Sequence, residues 1–181
     1  MRNLIGIVLL MIGIVIGFAL PDSDLQWGFL GHRSIVTHGL LMPTLLYWLV
    51  RRREHVAARL LAIGVCLSSA IHLSFDLFPR AWTGFALIYI PLYGRTSPVF
   101  SWLWIAASIT ACMYFSFALG RNLVEVVVTV GGLVVAFGVY ATQQGVFWPA
   151  LIALAATTAA ALALRSAAGK VLKGIRKKRG S

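Results

Sequence analysis

Residues 56–78 read VAARLLAIGVCLSSAIHLSFDLF. Its charged or titrating polar groups lie at its two ends, Arg59 at one and His72 and Asp76 at the other. The run matches the roughly 20 residues a helix needs to cross about 30 Å of hydrocarbon. Pro79 then stops it. Working outward, five more apolar runs fall at 4–20, 34–50, 98–119, 123–142 and 146–164, ended in turn by Pro21, the Arg run, Gly120, a polar turn and the basic tail. The run at 34–50 is the shortest on apolar character and the least sharply bounded.

Composition agrees. The chain has 181 residues, 60% hydrophobic and 12% charged, with a mean hydropathy of +0.87. Soluble domains carry about 25% charged residues. So few charges cannot wet a whole surface, and lipid must cover most of it. The sequence therefore predicts an all-α, polytopic membrane bundle of about six transmembrane helices. Residues 1–165 form one membrane domain, and residues 166–181 form a basic tail.

The first run follows Arg2 and could be a signal peptide, but it is long and no small-x-small cleavage site precedes Pro21. Gly6, Gly13 and Gly17 share one helical face, which suits close packing in a retained helix. Cys66 and Cys112 each fall inside an apolar run, and no disulfide is expected.

The net charge of +11 comes from 16 Lys and Arg against 5 Asp and Glu. Seven of the basic residues lie between Arg165 and Arg179, and Arg51, Arg52 and Arg53 form a run. These are flanking charges of membrane helices, suited to anionic headgroups, and no nucleic-acid partner is expected. With the N-terminus inside, Arg2, Arg51, Arg52, Arg53, Arg59, Arg121 and the seven of the tail give 6 + 7 = 13 inner cations. Arg33, Arg80 and Arg95 are the three outer ones. The bias places both termini in the cytoplasm. The connections 21–33, 79–97 and 143–145 then face out. The second of these, with Trp82, Phe85, Tyr89 and Tyr93, reads as a segment on or dipping into the outer leaflet.

On that topology Asp22, Asp24, His32, His38, His72 and Asp76 all fall at the outer membrane rim. His72 and Asp76 are spaced i, i+4 and share a helical face. Buried ionisable groups are costly in a membrane and need partners or a function. Each alone has an ordinary reading: Asp22-x-Asp24 as a turn, His32-Arg33 as an interfacial pair, His72 and Asp76 as a hydrogen-bonded couple. Six at one depth point instead to a divalent cation. Glu54 and His55 read as solvated charges beside the Arg run, and Arg121 with Glu125 as an i, i+4 ion pair.

The same residues carry a resemblance. Pro21-Asp22-Ser23-Asp24, His32-Arg33-Ser34-Ile35-Val36-Thr37-His38 and His72-Leu73-Ser74-Phe75-Asp76, followed by Gly84 and Pro91, resemble the YdjM-type membrane-bound metal-dependent hydrolases. That family is also described as LexA-binding, inner-membrane-associated hydrolases. The match spans about residues 21–91, with Gly39 where the family usually has Ser. The resemblance implies metal binding and a hydrolase acting at a bacterial or archaeal inner membrane.

Together these features predict one or two ions bound by Asp22, Asp24, His32, His38, His72 and Asp76. Zinc suits the mixed N and O ligands first, with manganese or iron as alternatives. The ion would activate water, and Asp24 could accept its proton. A site at the rim suits a lipid or lipid-linked substrate. A phosphoester is expected because Arg33, Arg80 and Arg95 flank the site and guanidinium suits phosphate. The other class is a small transporter or a metal-clamped structural protein, which would need a polar path or a purely structural cluster.

Overall fold

The structure is a computed structural model that describes residues 2–78, 86–144 and 147–179, with side chains over positions 4–170 of these. Its helices are α1 (Arg2–Ala19), α2 (Leu41–Val50), α3 (Val56–Asp76), α4 (Pro98–Leu119), α5 (Leu123–Gln144) and α6 (Trp148–Arg179), with a 3₁₀ turn at Pro21–Gln26. A two-stranded hairpin, β1 (Tyr89–Ile90) and β2 (Gly94–Arg95), sits between α3 and α4. Among the described residues, four helices are long and apolar enough to cross a membrane: α3, α4, α5 and the Trp148–Lys170 part of α6. The protein is a multi-pass, all-α membrane protein.

Helix α3 is the axis, packed against α1, α2, α4, α5 and α6. Its middle is fully buried, with Ile63, Leu67 and Ile71 at the centre of the core. Small residues bring α1 close. A Cβ at Gly13 would run into the Leu61 carbonyl, and one at Gly64 into the Leu10 carbonyl. The glycine stripe of the first segment therefore packs within the bundle. Cys66 and Cys112 are buried free thiols.

The segment at 34–50 departs from a regular span. Only its last ten residues are helical, as α2, about 15 Å of rise. Pro43 gives the reason. It lies in the first turn of α2, where its missing N–H costs nothing. A helix continued back to residue 34 would put that proline in its interior. Residues 34–40 instead fold as turns held by Asp24, whose Oδ2 accepts from the Ser34 N–H (2.8 Å) and the Thr37 hydroxyl (2.9 Å).

The described part of the 79–97 connection braces these turns. The Tyr89 N–H donates to the Arg33 carbonyl (2.9 Å), and the Ile35 N–H to the Tyr89 carbonyl (2.8 Å). Ile88 is fully buried and is tied to α4 through the Ser101 hydroxyl (3.0 Å). Tyr93 stays exposed. Trp82 and Phe85 lie outside the described residues.

At the opposite end of α3 the structure corrects one expected pair. Glu125 pairs with Arg59 of α3 (2.6 Å) rather than with the Arg121 side chain. Arg121 gives Glu125 only its backbone N–H (3.0 Å), while its guanidinium donates to the Arg51 carbonyl (2.9 Å). Asn122 and Glu125 cap α5 reciprocally. A local i, i+4 pair loses here because Arg59 is buried and needs a carboxylate, whereas Arg121 reaches solvent-side carbonyls. Glu54 and His55 are exposed.

Candidate metal centre

Three separate segments build the site. The 3₁₀ turn after α1 supplies Asp22, the turn before α2 supplies His38, and the last two turns of α3 supply His72 and Asp76. Four atoms converge. His38 Nε2 lies 3.3 Å from Asp76 Oδ2 and 3.8 Å from Asp22 Oδ1. His72 Nε2 lies 3.5 Å from the same Asp76 oxygen and 3.6 Å from the same Asp22 oxygen. Ligand atoms of Asp22, His38 and His72 all stand within 4.8 Å of one another. Asp76 closes the quartet against both imidazoles.

These spacings are too long for good hydrogen bonds, which run at about 2.7–3.2 Å. They are close to the roughly 3–3.5 Å that separates neighbouring ligand atoms bound to one ion at about 2.0–2.2 Å. Two of the four, His38 Nε2 and Asp76 Oδ2, are buried with no hydrogen-bond partner. Buried polar atoms are rarely left so. Two orphans aimed at one point fit a cation between them.

The far side of each imidazole supports this. The Phe18 carbonyl stands 3.1 Å from His72 Nδ1. A carbonyl only accepts, so Nδ1 carries the proton and Nε2 presents its lone pair to the quartet. Tyr140 of α5 also reaches this nitrogen (3.2 Å) and stacks on Phe18. Behind His38, Asp24 Oδ2 stands 3.3 Å from Nδ1, an orienting carboxylate of the kind that backs metal-bound histidines. The Trp104 indole N–H donates to the His38 carbonyl (3.1 Å) and fixes the backbone there.

Asp24 is therefore brought to the site but stands behind His38. Its carboxyl is held below the ordinary carboxylate range. Burial alone would raise it, but the neighbouring His38 imidazole and the hydrogen bonds from the Ser34 N–H and the Thr37 hydroxyl outweigh that. His32 is half-exposed and faces Asp24 Oδ1 at 3.6 Å, outside the quartet. Arg33 donates to Asp76 Oδ1 (3.4 Å). Its backbone is left-handed, with φ 62°, a strained conformation that clusters at functional sites. Arg95 is exposed on β2, and Arg80 and Gly84 lie outside the described residues. Tyr140 and Trp104 were not singled out in the sequence, because one aromatic in an apolar helix carries no signal until its neighbours are known.

No family model, characterised protein or solved structure matches this chain.

Proposed function

We propose that this protein is a membrane-embedded, metal-dependent hydrolase of the YdjM type, acting on a lipid or lipid-linked phosphoester at the outer leaflet. The observation that carries the reading is the quartet of Asp22, His38, His72 and Asp76, with two buried orphan atoms facing each other. Two imidazoles and two carboxylates suit zinc first, then manganese or iron. In this reading the six apolar segments span an inner membrane with both termini cytoplasmic. Residues 34–40 and α2 together make the second crossing. The 13-to-3 cation bias supports that orientation.

A divalent ion supplies a water of lowered pKa and polarises the scissile bond. The chain's own groups do the rest. Phe18 and Asp24 hold the imidazoles in the binding tautomer. Asp22, the most exposed of the four, opens the site to water and would receive its proton. Arg33 donates to Asp76 Oδ1 beside the quartet (3.4 Å), and a substrate phosphate oxygen would take its remaining guanidinium donors. Hydrolysis then adds the water oxygen to phosphorus, breaks the ester P–O bond and returns a proton to the leaving alcohol.

The apolar, fully buried middle of α3 below the quartet favours a one-sided site over a transport path. The test is metal analysis of purified protein, followed by mass spectrometry of membrane lipids incubated with and without chelator. Stoichiometric metal and a chelator-sensitive cleavage product are expected. Protein without metal would end the proposal, and metal without cleavage would turn it to a structural or transport role.

A further inference from the structure

Helix α5 brings no residue to the quartet, yet one stripe of it faces α3 from end to end. Glu125, Thr129 and Ala136 on that stripe are buried, and Tyr140 follows four residues later on the same face. Glu125 meets Arg59 near one end of α3. Tyr140 meets His72 near the other, its hydroxyl 3.2 Å from Nδ1.

The ring of Tyr140 is held on two sides. It stacks on Phe18 of α1, with centroids 4.7 Å apart and planes 8° from parallel. It meets Phe75 of α3 edge-on at 5.1 Å. Phe18 therefore acts twice, with its ring against Tyr140 and its carbonyl 3.1 Å from the same Nδ1. The Nδ1 proton thus faces two oxygens, the Phe18 carbonyl and the Tyr140 hydroxyl. Two acceptors fix the plane of an imidazole more narrowly than one, and that plane sets where the Nε2 lone pair points. A phenylalanine would stack on Phe18 equally well. A hydroxyl carried into an apolar stretch costs free energy unless it is bonded, and here its partner is the back of a quartet histidine.

We infer that Tyr140 is a positioning residue for the metal centre: its hydroxyl and its stack on Phe18 together aim His72 Nε2 at the ion. This rests on the metal reading above and adds α5 to the three segments that build the site. His38 is backed by a carboxylate, Asp24. His72 is backed by two neutral oxygens, so losing one of them should weaken metal binding less than losing Asp24.

The test compares wild type with Tyr140→Phe, which keeps the stack and removes the hydroxyl, in purified, chelator-treated protein. Zinc affinity is read by competition with a chromogenic chelator, and ligand geometry by the visible absorption of the cobalt(II) form. Zinc affinity should fall about fivefold, the effect of one neutral hydrogen bond, and the cobalt bands should shift. Tyr140→Leu, which also removes the stack, should weaken zinc further and move the bands more. Zinc affinity within about twofold of wild type in Tyr140→Phe overturns the inference. Weaker zinc with unmoved cobalt bands overturns it too, because a purely structural residue would act that way. So does complete loss of zinc, which would make Tyr140 a ligand. Should Tyr140→Phe fail to fold, Phe18→Leu takes its place, removing only the stack. Its cobalt bands should shift, and unmoved bands overturn the inference. Wild-type protein that binds no metal ends the metal reading itself, whereas metal-binding wild type with an indifferent Tyr140→Phe ends only this one.

Discussion

Helix α3 carries a polar cluster at each end, and the two are partnered differently. At the Arg59 end the Glu125 carboxylate accepts from Arg59 (2.6 Å), the Asn122 amide (3.0 Å) and the Arg121 N–H (3.0 Å). Arg59 also donates to the Glu54 carbonyl (2.8 Å), leaving only its Nε without a partner. At the Asp76 end His72, His38, Asp22 and Asp76 point at one another across 3.3–3.8 Å, with an orphan nitrogen and an orphan oxygen among them. A cluster that closes on itself is a clamp. One that converges without closing has room for something else.

Removing one member from each end separates the two clusters. His38→Ala or Asp76→Ala should abolish stoichiometric metal, measured by elemental analysis of purified protein. Glu125→Ala should leave metal content unchanged. It should instead destabilise the protein by about 3–5 kcal/mol, because it strands the buried Arg59 cation; thermal unfolding in detergent reads this. If Glu125→Ala removed metal as fully as His38→Ala, the two ends would not be separate devices.

The Asp76 end was far more legible in the sequence than the Arg59 end. Asp22, His38, His72 and Asp76 could be set at one depth because successive spans alternate direction. Ionisable residues are also rare enough in apolar runs to stand out. The Arg59 clamp was hidden because Arg59 and Glu125 are 66 residues apart and Arg121 offered a nearer partner at the expected spacing. Hydropathy located the apolar segments but could not see that Pro43 confines α2 to ten residues. Nor could it distinguish the two faces of an imidazole, and that is where the reading of Asp24 changed.

Asp24→Asn sharpens the point. The amide keeps an oxygen for the Ser34 and Thr37 donors but is a poorer acceptor behind His38. Metal affinity should fall by about 10–100-fold, the usual effect of an orienting partner, without the total loss expected for a quartet member. Isothermal titration with zinc checks it. The pH dependence follows in sign. Asp24 has a lowered folded-state pKa, so its contribution to stability is present above the ordinary carboxylate value and is lost as pH falls through and below it. Asp24→Asn should therefore flatten the acid limb of the stability profile.

The smallest effect is expected at His32. Its ring is half-exposed and meets Asp24 only through Oδ1, at 3.6 Å, whereas His38 faces Oδ2. With one partner half-exposed and the two 3.6 Å apart, the pair is weak, about 0–1 kcal/mol. His32→Ala should thus change zinc affinity by less than about fivefold. The result separates two geometries that the sequence leaves equivalent. A loss as large as that of His38→Ala would mean that His32 swings in to ligate, with Asp24 turning from the back of His38 to the front. The quartet would then be part of a six-residue, two-ion centre. A small change leaves one cation held by four side chains from three segments, with Asp24 and His32 behind them.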